Sequence, residues 1–405
     1  MKKYDVCIIG AGPAGSIAAI TLLNAGLTVK IIEKMHFPRF VIGESLLPRC
    51  NELLDAAGVL ETVKKAGFQL KGGVVFDNES NEKKVIHFSE NTGQKYDSSF
   101  QVRREIFDQV LLDYAKHKGA SVSMESEVIG YDEVENVISV VHKSGKNDSY
   151  HAKKVIDASG YGRVLPRLLN LESTSPLALR NAIFCRVKND RRPHDGTEGY
   201  ISVNIVGNND AWIWNIPLSA TETSVGIVCS ETYYRSFDKN PHDFWNYIIS
   251  HNAQANKRYA SASKMNDVGY IGGYSSGVTK MFGKNFVLVG NATEFLDPVF
   301  SSGVTLALES GTLAANLILK EFQGETVHWQ ESYEDHMMVG IDVFREFVNA
   351  WYDGRLQTIL FSKKLTADKI ERKIVSVLSG YVWDETNMFV WSPKDAVQHI
   401  YTVLK

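Results

Sequence analysis

Residues 4–34 read YDVCIIGAGPAGSIAAITLLNAGLTVKIIEK, and the reading of this stretch decides the fold. VCIIG is a short apolar run without alternation, as in a strand buried on both faces. GAGPAG then places Gly10, Gly12 and Gly15 at GxGxxG spacing, with Pro13 and Ala14 between them. Gly10 permits a tight turn, Gly12 lets the backbone approach a pyrophosphate, and Gly15 lets helix pack closely on strand. The helix AGSIAAITLLNAG aims its N-terminal N–H groups and its dipole at that anion, and Gly26 ends it. LTVKIIEK is the second strand. Glu33, 18 residues beyond Gly15 and followed by Lys34, stands where a carboxylate accepts from ribose hydroxyls. The stretch is a dinucleotide-binding βαβ unit, and the motif alone does not separate FAD from NAD.

The run from Val6 to Val29 carries no charge and superficially reads as a signal peptide or membrane helix. Asp5 spoils a basic leader, and the glycines interrupt the helix that a span would need. The expectation is therefore a cytoplasmic protein without membrane insertion. A net charge of -3 with scattered lysines and arginines gives no reason to expect nucleic acid. The four cysteines show no CxxC spacing and the eleven histidines no HxxxH, so no metal is expected. A chain of 405 residues accommodates two domains and a tail.

Later segments extend the nucleotide theme. VIDASGYGR (residues 155–163) is a strand followed by small residues, Ala158, Ser159 and Gly160, where the chain passes close to a ligand. Residues 285–319 give a buried strand, FVLVG, then Gly290, Asn291, Asp297 and Pro298, then a helix start at SSGV with Gly303 and Val304. A second helix N-terminus suits a long cofactor such as FAD. Residues 101–122 read as an amphipathic helix on Ile106, Val110, Leu111 and Tyr114, with Arg103 at its start within reach of the cofactor.

The order of these motifs resembles the FAD monooxygenase fold typified by p-hydroxybenzoate hydroxylase, over most of the first 325 residues. The resemblance implies an α/β architecture: a Rossmann-type FAD-binding domain, an inserted mainly antiparallel β-sheet substrate domain over the flavin ring, and a helical C-terminal extension. The expected boundaries are 1–75, 101–175 and 265–325 for FAD, 76–100 and 176–264 for the inserted sheet, and 326–405 for the extension. NAIFCRVKN, EGYISVNIVGNNDAWIWNIPLS and TETSVGIVCS read as strands of that sheet, with a turn at GNND, residues 207–210. In the extension, Phe344, Phe347, Trp351 and Tyr352 recur at helical spacing, which predicts a helix packed on the domains, a lid, or both.

AWIWNIPL, residues 211–218, puts Trp212, Trp214 and Ile216 on one face of a strand. An aromatic core layer explains such a pair. Two further segments give another reading. WxWxIP at 212–217, FLDPVFSSG at 295–303 and HFPRFVIGESLLP at 36–48 together resemble the flavin-dependent halogenases. That resemblance implies that Arg39, Gly43, Glu44 and Ser45 lie beside the flavin. It implies that the tryptophans form a wall keeping organic substrate from the flavin hydroperoxide. Chloride or bromide would then be oxidised by molecular oxygen at reduced FAD (FADH2) to hypohalous acid, which travels to the substrate. Lys71, in GFQLKGGVVFDN, matches the family lysine that receives the oxidant, and Ser302 and Gly303 are candidates for the halide.

Tryptophan halogenases carry a glutamate two residues before the position of Ser302, where this chain has Phe300. Electron-rich phenols or pyrroles, free or bound to a carrier protein, are therefore better expectations than tryptophan. Glu44 is given no catalytic role. No second Rossmann fingerprint is present, so reduced flavin is expected from a separate flavin reductase. Two alternatives stay open at this point: an FAD-dependent hydroxylase or geranylgeranyl-reductase-like reductase, and a non-catalytic flavin-binding protein.

Overall fold

The structure, a computed structural model, describes residues 1–207, 209–363 and 368–405. Its first sheet runs, edge inward, through Ser121–Ser123, Val29–Ile32, Lys2–Ile9 and Asn147–Asp157, all parallel. Phe286–Leu288 joins the far end of Asn147–Asp157, also in parallel. Val137–His142 and Ser126–Asp132 complete the sheet as an antiparallel ribbon. The register pairs Ile9 with both Ile32 and Asp157, so three strand ends lie level and their following residues form one crevice. Ligands of open α/β sheets bind at such carboxyl-terminal crevices.

Helices Pro13–Asn24 and Ser302–Phe322 pack against each other on this sheet. Gly311 makes the close approach possible, since a Cβ there would stand 2.4 Å from the Ala14 carbonyl oxygen. Ser302–Phe322 is the one described helix long and apolar enough to cross a membrane. Of its apolar window, 72% is buried, as in the central helix of a folded core.

The second sheet orders Ser263–Lys264, Arg180–Lys188, Glu222–Ser230, Ala211–Pro217, Ile201–Val206, Gly73–Asp77 and Lys83–His87. Gly269–Gly272 also pairs with Arg180–Lys188. All pairings are antiparallel except Ile201–Val206 on Gly73–Asp77. One face, with Trp212, Trp214 and Ile216, joins the main core; Ile213 faces a separate outer cluster. The sheet begins at Gly73 and reaches Gly272, so it starts before residue 76 and runs past 264. In the turn expected at GNND, Asp210 N donates to Gly207 O at 3.1 Å, and Asn208 lies outside the described residues.

Within the span expected to be a mainly antiparallel sheet, three helices that the sequence reading did not identify follow residue 230. Glu231–Arg235, Pro241–His251 and Ala253–Tyr259 are capped by Ser230, Asn240 and Asn252, whose side chains accept from Tyr233 N, Asp243 N and Ala255 N. Pro241 at the first turn adds its preset φ. These helices bury Phe244, Trp245 and Ile248 against the outer face of the sheet.

The helix Arg104–His117 forms, but its buried face is Phe107, Leu111, Leu112 and Ala115. Ile106 is exposed, and Val110 and Tyr114 are only half-buried. The apolar periodicity therefore fixed the helix and misjudged its rotation, because Arg104 and Asp108 occupy inward positions as a buried pair. The C-terminal extension is helical through His336–Tyr352, Arg355–Phe361, Asp368–Leu378, Met388–Trp391 and Pro393–Leu404. Phe344, Phe347 and Trp351 are buried in the main core, and Tyr352 is half-buried beside them.

Candidate functional site

A cavity of about 600 Å³ runs from the crevice of the first sheet to the inner face of the second. At the crevice end it is lined by Gly10, Gly12, Pro13 and Ala14. Gly10 has φ +98°, and a Cβ on it would meet the Ala158 carbonyl oxygen at 2.5 Å. Gly15 does not line the cavity. Its missing Cβ would fall 2.1 Å from Gly10 O, so it serves the helix–strand packing. Glu33 is buried; its two carboxylate oxygens accept from Ala11 N and Met35 N, both at 2.8 Å. Those bonds hold the turn and leave lone pairs for ribose hydroxyls. Lys34 is exposed and pairs with Glu127 at 2.7 Å; both residues line the same end.

Ala158, Ser159, Gly160, Gly290 and Asn291 also line the cavity, as do Arg39, Gly43, Glu44 and Ser45. Asp157 orders the first of these turns by accepting from Ser159 N at 2.9 Å and Leu165 N at 2.6 Å. Glu44 accepts from Arg186 Nε at 2.9 Å, and Arg186 also grips Glu105. Burial pushes the Glu44 carboxyl up, against the pull of Arg186. Ser45 Oγ is buried with no partner among the described residues. An orphaned hydroxyl in a cavity walled by backbone and glycines fits a polar, extended cofactor such as FAD.

Arg103 does not reach this cavity. It pairs with Glu222 on the second sheet, while Arg104 lines the cavity and forks onto Asp108 at 2.8 and 3.0 Å. Arg103 is the extended N-cap residue, with φ -72° and ψ 114°, and Arg104 the first helical one, so the two side chains leave the chain in different directions. Arg39 also reaches Asp108, at 3.3 Å. Arg104 was missed because the sequence signal, two adjacent arginines at a helix start, does not say which one points in.

At the far end Pro298, Gly303 and Val304 line the cavity together with Ser301, which adopts φ 57° at the start of Ser302–Phe322. Ser302 is buried and is not part of the lining, so Gly303 carries the exposed share of the helix start. Asp297 lies outside this cavity. It is buried and accepts from Val299 N at 3.0 Å, Tyr274 OH at 3.2 Å and Tyr352 OH at 3.0 Å.

Trp212, Trp214 and Ile216 all line the cavity. Gly226 lies across from Trp214 in the strand register; a Cβ there would strike the indole at 2.2 Å, so the glycine is what admits the ring. Trp214 Nε1 donates to Ser224 Oγ at 3.2 Å, and Trp212 Nε1 donates to Tyr352 OH at 2.9 Å. Both indoles are fixed by a hydrogen bond as well as by packing.

Lys71 ends the strand Gln69–Lys71 and is buried, 1% exposed. Its Nζ donates to the Leu46 carbonyl at 2.8 Å and lies 5.2 Å from the Phe88 ring centroid. It does not line the cavity; Leu46 is the neighbour of Ser45, which does. Burial pulls its pKa down from 10.5 to about 7, only partly opposed by the Cys50 thiol. Phe300 is buried in an aromatic cluster, edge-on to Phe347 at 6.1 Å and Trp351 at 6.0 Å.

The chain matches the profile of the tryptophan halogenase family over residues 5–98 and 78–390. It is 31% identical to a 1H-pyrrole-2-carbonyl-[peptidyl-carrier protein] chlorinase of Pseudomonas fluorescens, covering 94% of this chain and 90% of that protein. It is 28% identical to the corresponding brominase of Pseudoalteromonas luteoviolacea, over 95% and 93%. Among solved structures, a flavoprotein/dehydrogenase from Cytophaga hutchinsonii superposes with a TM-score of 0.95 at 40% identity, over 100% of this chain and 99% of that one.

Proposed function

This chain belongs to the tryptophan halogenase family and is an FAD-dependent oxidoreductase that halogenates an aromatic substrate; from that premise we propose that its acceptor is a pyrrole or phenol ring carried on a carrier protein. Support comes from Phe300. Where tryptophan halogenases place a glutamate, this chain buries a phenylalanine against Phe347 and Trp351. A ring that is already electron-rich reacts without a carboxylate to assist it. The two pyrrole-carrier relatives point the same way.

FAD, when bound and reduced, supplies the electrons with which oxygen converts halide to hypohalous acid. The residues of the chain bind, insulate and receive. Gly10, Gly12 and the N-terminus of Pro13–Asn24 cradle the pyrophosphate, and Glu33 accepts from the ribose. The backbone N–H groups of Ser302 and Gly303 hold the halide without a side-chain charge. Trp212 and Trp214 keep the bulky acceptor off the flavin. Lys71, whose amine burial makes easier to deprotonate, holds the hypohalous acid or takes the halogen on its amine. The enzyme works in a reducing compartment, with four unpaired buried cysteines, and takes reduced flavin from a separate reductase.

The wall is the observation that carries this reading, since both indoles face the cavity that fits FAD. The test mixes the chain with reduced FAD, oxygen and bromide, and follows bromination of monochlorodimedone. Bromide-dependent bromination is expected. Hydrogen peroxide release with no bromination, or direct reduction of bound FAD by NADPH, favours the hydroxylase or reductase alternative.

A further inference from the structure

Lys71 stands outside the flavin cavity, and two polar side chains lie between them. Ser45 lines the cavity and faces Gln101 across an antiparallel bridge. Leu46 N donates to Phe100 O at 2.9 Å and Val102 N to Glu44 O at 2.6 Å, so Ser45 and Gln101 are a pair without mutual backbone bonds. Side chains of such a pair leave on one face and stand close together. On its other edge the strand Ser99–Gln101 pairs with Gln69–Lys71, placing Lys71 opposite Ser99 and Gln69 opposite Gln101. Residues two apart in a strand share a face. Ser45, Gln101, Ser99 and Lys71 therefore point to one side of a small three-stranded patch. Two bonds agree with that placement: Lys71 Nζ donates to Leu46 O at 2.8 Å, and Ser99 Oγ to Leu47 O at 2.9 Å.

This face is short of donors. Gln101 is 0% exposed. Its Nε2 donates to Gly199 O at 3.2 Å, which orients the amide and leaves Oε1 with no partner among the described residues. Ser45 Oγ, in a side chain 5% exposed, likewise has none. An unanswered acceptor is costly to bury, and two on one face ask for a small ligand. A carboxamide oxygen only accepts, whereas a hydroxyl gives and takes. The ligand must therefore bring an O–H or N–H, and an anion without a proton gains nothing from Gln101. Lys71 stands diagonally from Gln101, a separation of about 7–8 Å in such pairings, which two long side chains span with a small molecule between their ends.

Resting on the halogenase reading, we infer that Ser45 and Gln101 hold the neutral hypohalous acid between the flavin cavity and Lys71, its O–H donated to Gln101 Oε1. The halogen is then the end left facing the amine. The amine lone pair takes the halogen, the halogen–oxygen bond breaks, and a proton from the nitrogen leaves with the oxygen as water. The halogen keeps its oxidation state, so no further oxidant enters. Ser45 passes the acid inward from the cavity boundary, and Gln101 sets its orientation. The site selects the acid over hypohalite, because only the acid has a proton to give.

Isocyanic acid, released from potassium cyanate, is a probe of the same design: small, neutral, with an N–H and an electrophilic carbon that amines attack. The FAD-loaded full chain is treated with cyanate over a series of pH values. Carbamylation of Lys71 is read against the exposed Lys143 in the same digest by peptide mass spectrometry. Lys71 is expected to react faster than Lys143 at neutral pH. Gln101→Leu is expected to slow Lys71 by about tenfold or more, with Lys143 and the pH midpoint of the Lys71 reaction unchanged. Gln101→Met serves the same purpose should Gln101→Leu unfold the chain. Ser45→Ala is expected to slow Lys71 by a smaller factor. Equal Lys71 rates in wild type and both Gln101 variants, or no carbamylation of wild-type Lys71, overturns the assignment. So does a slowing that comes with a rise in the midpoint, since water admitted to Lys71 by a loosened core would raise its pKa. The monochlorodimedone assay reports separately: Gln101-dependent carbamylation without bromide-dependent bromination leaves the small-acid site standing and sinks the halogenase reading.

Discussion

Two buried cations close to the flavin cavity are treated in opposite ways. Arg104 is matched to a partner: Asp108 takes two of its nitrogens, and the Ile42 carbonyl takes a third contact at 3.0 Å. Burial opposes its charge, Asp108 more than offsets that, and its pKa rises. Lys71 has a carbonyl, a ring and a thiol around it and, among the described residues, no carboxylate partner. Burial wins there, and the pKa falls to about 7. The first cation holds a wall in place. The second is kept at a cost to stability, which fits the neutral amine that the proposed function asks of it.

The largest expected effect comes from breaking the matched pair. Arg104→Met leaves Asp108 buried, with only Arg39 at 3.3 Å to answer it. A loss of about 3–5 kcal/mol is expected from urea denaturation, together with weaker FAD binding. Should the variant unfold at the wild-type midpoint, the Arg104–Asp108 pair is not holding this region and the contrast with Lys71 fails.

Lys71→Met is expected to move stability in the opposite direction and to lower bromination by about 100-fold or more. Removing a poorly solvated ammonium should stabilise the fold by roughly 1–3 kcal/mol, reduced from the full linkage value by the lost bond to Leu46 O. The sign follows from a folded pKa of about 7 against 10.5. Below pH 7 the lysine is protonated in both states and the whole penalty is present. Between pH 7 and about 10.5 the unfolded chain holds the extra proton, so wild-type stability rises with pH. The advantage of Lys71→Met should therefore be greatest below pH 7 and fade toward pH 10.5. Denaturation midpoints of both proteins across that window check it. If the two curves run parallel, Lys71 is not titrating as its surroundings imply.

The same contrast separates what was legible in the sequence. The crevice end of the site was readable because its logic is local: Gly10, Gly12, Gly15 and Glu33 act through backbone turns set by their own neighbours. Strand alternation puts Trp212 and Trp214 on one face, but that this face turns toward the cofactor was implied by the resemblance to the halogenases and not by the spacing. The rotation of Arg104–His117 was not readable, since two adjacent arginines carry equal local signals and only the distant Glu222 and nearby Asp108 divide them. The helices over the outer sheet face were missed although their caps, Ser230, Asn240 and Asn252, are in plain view; strand signals on either side obscured them. The Trp212–Tyr352–Asp297 chain joins residues 140 and 55 positions apart and has no local signature at all.

Arg103 supplies the smallest and sharpest comparison. It is adjacent to Arg104, carries the same charge, and faces the other way, partly exposed beside Glu222. Glu222 is buried, but it keeps a second cation at longer range, Lys188 at 3.9 Å, so removal of Arg103 does not leave its carboxylate without a counter-charge. A pair with one partly exposed partner and a second cation in reach is worth less than the fully buried Arg104–Asp108 pair. Arg103→Ala is accordingly expected to shift the urea midpoint less than Arg104→Met does and to leave FAD affinity within about twofold of wild type, as read by flavin fluorescence quenching. A large loss of FAD affinity in Arg103→Ala with none in Arg104→Met would mean that the helix sits rotated by one residue when the cofactor is bound. The alanine and methionine variants, measured side by side, therefore decide which of the two arginines the cofactor wall depends on.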